Sequence, residues 1–230
     1  LPRVMERVGG LHVDRGCRRR RPLGAQQPRG SVQKDNSRAE VHAGEIHPEL
    51  DRQTVAGRIC LDLGVGDKKE KGWIGVDKRS AGKVQPEVIA DLEGRLPFDD
   101  DYADEIRAIH IIEHFWPWDV GRILADWVRV LKPGCKLAIE CPDVKKVLQL
   151  AQVPEIPPSM TFWALYGDPR HQEPGMMHRW CYSRQQMEDL MLGAGLVSIK
   201  HMPAQFHHPV RDMRVVGYKP MPESRIEVAE

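Results

Sequence analysis

Short apolar runs that each stop on glycine or aspartate constrain this chain more than any other feature. Arg58-Ile59-Cys60-Leu61-Asp62-Leu63 ends at Gly64-Val65-Gly66, which reads as a buried strand entering a tight loop. Gly72-Trp73-Ile74-Gly75-Val76-Asp77 is a second strand ending on a carboxylate, and Val88-Ile89-Ala90, stopped by Asp91, is a third. A fourth strand spans 105–111, after the turn cluster Asp99-Asp100-Asp101. Helical spacing then takes over in 117–132, where Val120, Ile123, Leu124, Trp127, Val128 and Leu131 form one apolar stripe. Pro133-Gly134 is expected to stop that helix. A fifth strand follows over 136–141, then a helix capped by Asp143 and running to about 151. Ser183-x-x-Gln186 is a capping box that opens a helix carrying Met187, Leu190, Met191 and Ala194 and ended by Gly195. Two last strands span 196–200 and 213–218, joined through His207-His208-Pro209. Strand and helix in alternation imply an α/β fold, a doubly wound, mostly parallel seven-stranded sheet covered on both faces.

Charge divides the chain. Residues 1–58 carry 12 Lys and Arg against 7 Asp and Glu, while 59–230 carry 22 against 26. The basic part includes Arg18-Arg19-Arg20-Arg21 and shows no sustained apolar period, so 1–57 is expected to be an irregular or disordered extension. The folded domain is expected over 58–219, with 153–182 as an irregular insertion and 220–230 as a tail. The 5 cysteines make no C-x-x-C pair, and an odd number closes no disulfide framework. No run approaches the ~18 apolar residues of a membrane span, and no leader is evident. These features predict a reduced, cytoplasmic protein without a membrane partner. The absence of a broad basic face in 59–230 argues against long nucleic acid as partner, and only the run Arg18-Arg19-Arg20-Arg21 points toward phosphate or an acidic partner.

Ligands of doubly wound sheets bind outside the carboxyl ends of the strands, and the glycine loop and aspartates above fall at that edge. Gly64 and Gly66 let backbone approach a ligand closely. The third glycine of a dinucleotide fingerprint is replaced by Lys69, which argues against a pyrophosphate seat of that kind. Asp77 offers two acceptor oxygens to a ribose, and Asp91-Leu92 suits a flat heterocycle. Together with Asp62 they point to a nucleoside site. His110-Ile111-Ile112-Glu113-His114 also matches the H-x-x-E-H zinc pattern, which needs both histidines on one helical face. Here the pair straddles a strand end and a loop, so no metal is expected.

The order and spacing of these pieces resemble class I S-adenosylmethionine-dependent methyltransferases, nearest the "type 11" branch, over about residues 58–219. The resemblance is carried by Leu61-Asp62-Leu63-Gly64-Val65-Gly66, Gly72-Trp73-Ile74-Gly75-Val76-Asp77, Ala90-Asp91-Leu92-Glu93 with Leu96-Pro97-Phe98, His110-Ile111-Ile112-Glu113-His114-Phe115, Val130-Leu131-Lys132-Pro133-Gly134-Cys135 and Gly195-Leu196. It implies S-adenosylmethionine as cofactor. Asp62, Gly64 and Gly66 would face its methionine part, Asp77 its ribose and Asp91-Leu92 its adenine, with His110 lining the transfer site. His110, Glu113 and His178 are the candidate catalytic residues. Phe162, Trp163, Tyr166 and Trp180, with Arg170, His171, His178, Arg179 and the His207-His208 loop, are expected to hold a polar small molecule or sugar for O- or N-methylation. Two rival readings are a catalytically inactive methyltransferase-like scaffold and a zinc-dependent hydrolase built on His110, Glu113 and His114.

Overall fold

The computed structural model describes residues 50, 54–66, 68–78 and 84–222. The basic segment expected to be irregular therefore lies almost wholly outside the described residues, as does most of the 220–230 tail. The described residues form a seven-stranded sheet: β1 (Cys60–Leu63), β2 (Ile74–Asp77), β3 (Val88–Ile89), β4 (Ala103–Ile109), β5 (Leu131–Pro142), β6 (Val197–Met202) and β7 (Asp212–Tyr218). Strand order is β3-β2-β1-β4-β5-β7-β6. All pairings from β3 to β5 are parallel, whereas β7 runs antiparallel to both β5 and β6. The order reverses at β1, between β2 and β4, so the loop after β1 opens at a crevice.

The helices are α1 (Val120–Val130), α2 (Val144–Leu150), α3 (Phe162–Tyr166) and α4 (Arg184–Gly193). Helix α1 forms because Val120, Ile123, Leu124, Trp127 and Val128 recur at helical spacing and are buried together. It packs on β5 and against α4, which in turn covers β6 and β7. Asp143 caps α2 by accepting from the Lys145 amide, and Ser183 with Gln186 completes the expected capping box of α4. The core is continuous, running from Leu61, Leu63, Ile74 and Val76 through Ile106 and Trp127 to Leu137 and Val215. Leu50, just before the domain, is buried in it as well. Among the described residues no helix is long and apolar enough to cross a membrane.

The boundary between α1 and β5 differs most from the sequence reading. Helix α1 ends at Val130, and Pro133-Gly134 lies inside β5 rather than stopping the helix. Leu131 pairs with Ala103 and Lys136 with Glu105, so the chain between them leaves the ladder where proline has no amide to donate. Gly134 turns there with φ +74° and bonds across to the Lys219 carbonyl at 2.9 Å.

Candidate functional site

Strands β1 and β2 are short and wholly buried, so their ends deliver backbone and acids to one edge. Gly64 leaves β1 with φ +74° and Gly66 follows with φ +55°, conformations that L side chains adopt rarely. A Cβ on Gly64 would also stand 2.7 Å from Ile111 Cγ1, so the loop can lie against the chain beyond β4 only with glycine there. At the end of β2, Asp77 accepts from the Gly66 amide through Oδ2 at 3.2 Å, which ties the loop to the second strand. Asp91 accepts from the Glu93 amide at 3.0 Å.

These residues surround a cavity of about 440 Å³. Gly64, Gly66, Asp77, Asp91, Leu92 and His110 all line it, with Lys78, Ile111, His114, Phe115, Glu173, Met176 and Arg179. Six of the seven residues expected to bind cofactor thus converge. Asp62 lies apart, on a second cavity of about 250 Å³ that shares Gly64 and is lined also by Lys68, Lys69, Arg107 and His207. Its Oδ2 accepts from Arg107 Nη2 at 2.6 Å, and the Arg107 guanidinium also pairs with Glu70. Trp73 and Phe206 flank that guanidinium, with ring centroids 4.2 and 4.8 Å from its central carbon. Burial pushes the Asp62 carboxyl upward, with Arg107 opposing it. Asp62 is therefore engaged in holding β1 to β4 rather than facing the first cavity.

His110 follows β4 with φ +52°, a strained setting for a non-glycine residue. Its Nδ1 lies 2.8 Å from Glu113 Oε1 and its Nε2 3.1 Å from Asp212 Oδ2. Burial alone would disfavour charge on the ring, but Glu113 and Asp212 outweigh it and raise the pKa to about 9. Glu113 is fully buried, which favours its neutral form, yet His110 holds it down to about 2. With both ring nitrogens protonated and donating, His110 has no lone pair with which to act as a base at neutral pH. Asp212 is also gripped by Arg211, through 2.6 and 2.9 Å bonds. The His207 ring lies 4.3 Å from His110, so the expected His207-His208 loop does reach this position.

Glu113 and His178 do not line the cavity; they stand beside it. The Glu113 carbonyl accepts from the amides of Arg179 and Trp180, at 2.8 and 3.3 Å, docking the end of the irregular segment onto the turn after β4. That brings the His178 ring to 4.8 Å from His114, edge to face. Of the four aromatics expected at an acceptor surface, Phe162, Tyr166 and Trp180 are exposed, and Trp163 is half-buried under Arg170. His171 and Arg170 lie on the exposed surface, whereas Arg179 reaches the cavity. The sequence reading missed Asp212 and Arg107. Arg107 could have been found as a lone cation inside an apolar strand, which must be paired to be buried. Asp212 had no local signature, because only the sheet order and the antiparallel run of β7 bring its first residue to the edge where β4 ends.

Residues 71–139 match the family model described as a methyltransferase domain. No curated protein matches the chain. Among solved structures, a SAM-dependent methyltransferase from Methanosarcina mazei superposes with a TM-score of 0.51 at 17% identity, over 77% of this chain and 99% of that one. A SAM-dependent methyltransferase from Archaeoglobus fulgidus gives 0.50 at 16% identity, over 70% of this chain and 86% of that one. At such identities these likenesses concern the fold, which is the Rossmann-like fold of class I methyltransferases. The family match runs from just before β2 into β5, the part of the sheet that these likenesses also share, and together they assign the chain the fold seen in S-adenosylmethionine-dependent methyltransferases.

Proposed function

We propose that the 440 Å³ cavity seats S-adenosylmethionine and that the protein methylates an oxygen or nitrogen of a polar small molecule or sugar. The observation that carries this reading is the convergence of Asp77, Asp91 and Leu92 with the Gly64–Gly66 loop on one cavity of ligand size. The lining fits the group. Nothing stands within 4 Å of where a Gly66 Cβ would project, so ligand atoms can approach the backbone there. Asp77 provides carboxylate oxygens for ribose hydroxyls, and Leu92, Ile111 and Phe115 provide apolar surface for a flat base. Asp62 takes a supporting role in this proposal: with Arg107 it fixes the strand from which the glycine loop springs.

The bound cofactor supplies a methyl group already activated on a sulfonium. What remains for the protein is to align the acceptor in line with that methyl and to exclude water. Protonated His110 would act at the transfer site through its positive charge alone, since both ring N–H groups are taken by Glu113 and Asp212, which fix the ring. Glu113 would act through His110, as a positioning residue. The acceptor would enter from the side of 173–179, where Glu173, Met176 and Arg179 face the cavity. His178, whose Nδ1 donates to the Ala164 carbonyl at 2.9 Å, is the candidate to meet it. Transfer from labelled S-adenosylmethionine into a panel of sugars and small polyols and amines tests this. His178→Ala should abolish transfer to any acceptor found while S-adenosylhomocysteine binds within about threefold, or ~0.7 kcal/mol, of the parent. Loss of both together would make the segment a cofactor lid and refute the acceptor role.

A further inference from the structure

We propose that Glu113, His114 and His178 form a three-ligand site for a divalent first-row transition-metal ion on the acceptor side of the cavity. One carboxylate oxygen of Glu113 and one ring nitrogen from each histidine lie within 4.8 Å of one another. Ligands about 2.0–2.2 Å from a zinc-like ion stand roughly 3–3.5 Å apart, so small side-chain rotations complete the set.

Independent features point to a ligand here. Glu113 Oε2 is buried and has no hydrogen-bond partner, although the side chain is 0% exposed. Glu113 Oε1 is satisfied by His110, so the carboxylate is held on one side and unsatisfied on the other. The two histidines are prepared in the same way. His114 Nδ1 lies 3.2 Å from the Met177 carbonyl and His178 Nδ1 2.9 Å from the Ala164 carbonyl. A carbonyl can only accept, so in both rings Nδ1 carries the proton and the lone pair of the neutral imidazole sits on Nε2. Outer hydrogen bonds of this kind fix the tautomer of metal-binding histidines.

This set differs from the H-x-x-E-H reading. His110 has both nitrogens taken by carboxylates and cannot ligate; the second histidine comes instead from 64 residues beyond His114, across the Glu113–Arg179 backbone bond. Two imidazoles and one carboxylate suit zinc, iron(II), cobalt(II) or manganese(II) better than magnesium or calcium. Three protein ligands leave coordination positions open, and His114 lines the cavity, so the open side would take an oxygen or nitrogen of the acceptor. That last step rests on reading the cavity as the transfer site.

The test uses the full chain, stripped with a chelator and titrated with cobalt(II), following ligand-field absorption, with S-adenosylhomocysteine calorimetry on the same sample. One cobalt per chain is expected, displaced by zinc, with affinity reduced at least tenfold in His178→Ala and in His114→Gln and unchanged in His201→Ala. A parent protein that binds S-adenosylhomocysteine but no cobalt overturns the metal site and leaves the cofactor reading intact. Cobalt binding of undiminished affinity in either His178→Ala or His114→Gln also overturns it. Cobalt binding that follows the expected pattern without S-adenosylhomocysteine binding upholds the metal site and defeats the cofactor reading on which its role in transfer rests.

Discussion

The ends of β1 and β2 and the 153–182 segment serve neighbouring ground but are held by different forces. The strand ends are fixed by ladder pairing, by the buried Asp62–Arg107 pair and by a glycine loop tied to Asp77. The segment carries exposed Phe162, Tyr166 and Met177 and is docked through backbone bonds to Glu113 and a side-chain bond from His114, while His178 ties its own two halves together at Ala164. The difference teaches where a substitution should be felt. Changes under the strand ends should cost folding, changes at the junction should alter pH behaviour, and changes on the outer segment should cost the fold nothing.

The largest effect is expected from Arg107→Ala. It leaves Asp62 buried without its cation, and breaking such a pair from one side costs about 3–5 kcal/mol, readable as a lower denaturant midpoint. A change below about 1 kcal/mol would show that the guanidinium is not what holds β1 to β4.

At the junction, the His110 pKa is raised from 6.5 to about 9 by Glu113 and Asp212 against the opposing effect of burial. A raised pKa in the folded state contributes stability that is complete below the unfolded value and is lost as pH rises through the folded one. Stability should therefore fall between about pH 6.5 and 9, by on the order of 3 kcal/mol counted once for the coupled cluster. His110→Gln should flatten that slope. An equal slope in the variant would assign the pH dependence to another group.

On the outer segment, Arg170→Ala removes an exposed pair with Asp168 and a contact over Trp163. No measurable change in melting temperature is expected, since exposed ion pairs contribute little. A clear drop would mean that the segment carries folding energy through its surface.

The same contrast explains what could be read from sequence. Elements whose burial pattern is local were legible: the stripe of α1, the Asp143 and Ser183 caps, and the strands ending on Gly64 and Asp77. Pro133-Gly134 was misread because the same two residues suit a helix end and a bulge, and only pairing with β4 decides between them. That His110 is gripped by two carboxylates could not be read, because the second, Asp212, lies 102 residues away and arrives through the antiparallel β7. The pairing of His114 with His178 was hidden for the same reason. It depends on backbone bonds from Arg179 and Trp180 that no period or spacing announces.

The central claim, that the cavity at the reversal of strand order is the cofactor seat, is tested most directly by calorimetric titration with S-adenosylhomocysteine of the parent chain and of Asp77→Ala. Asp77 stands at the end of β2 beside Gly66, on the wall of that cavity. The account predicts one site per chain, and at least tenfold weaker binding in the variant, since each lost hydrogen bond to a charged acceptor is worth about 1.5–3 kcal/mol. Equal affinity in the two proteins would contradict it and move the cofactor away from Asp77.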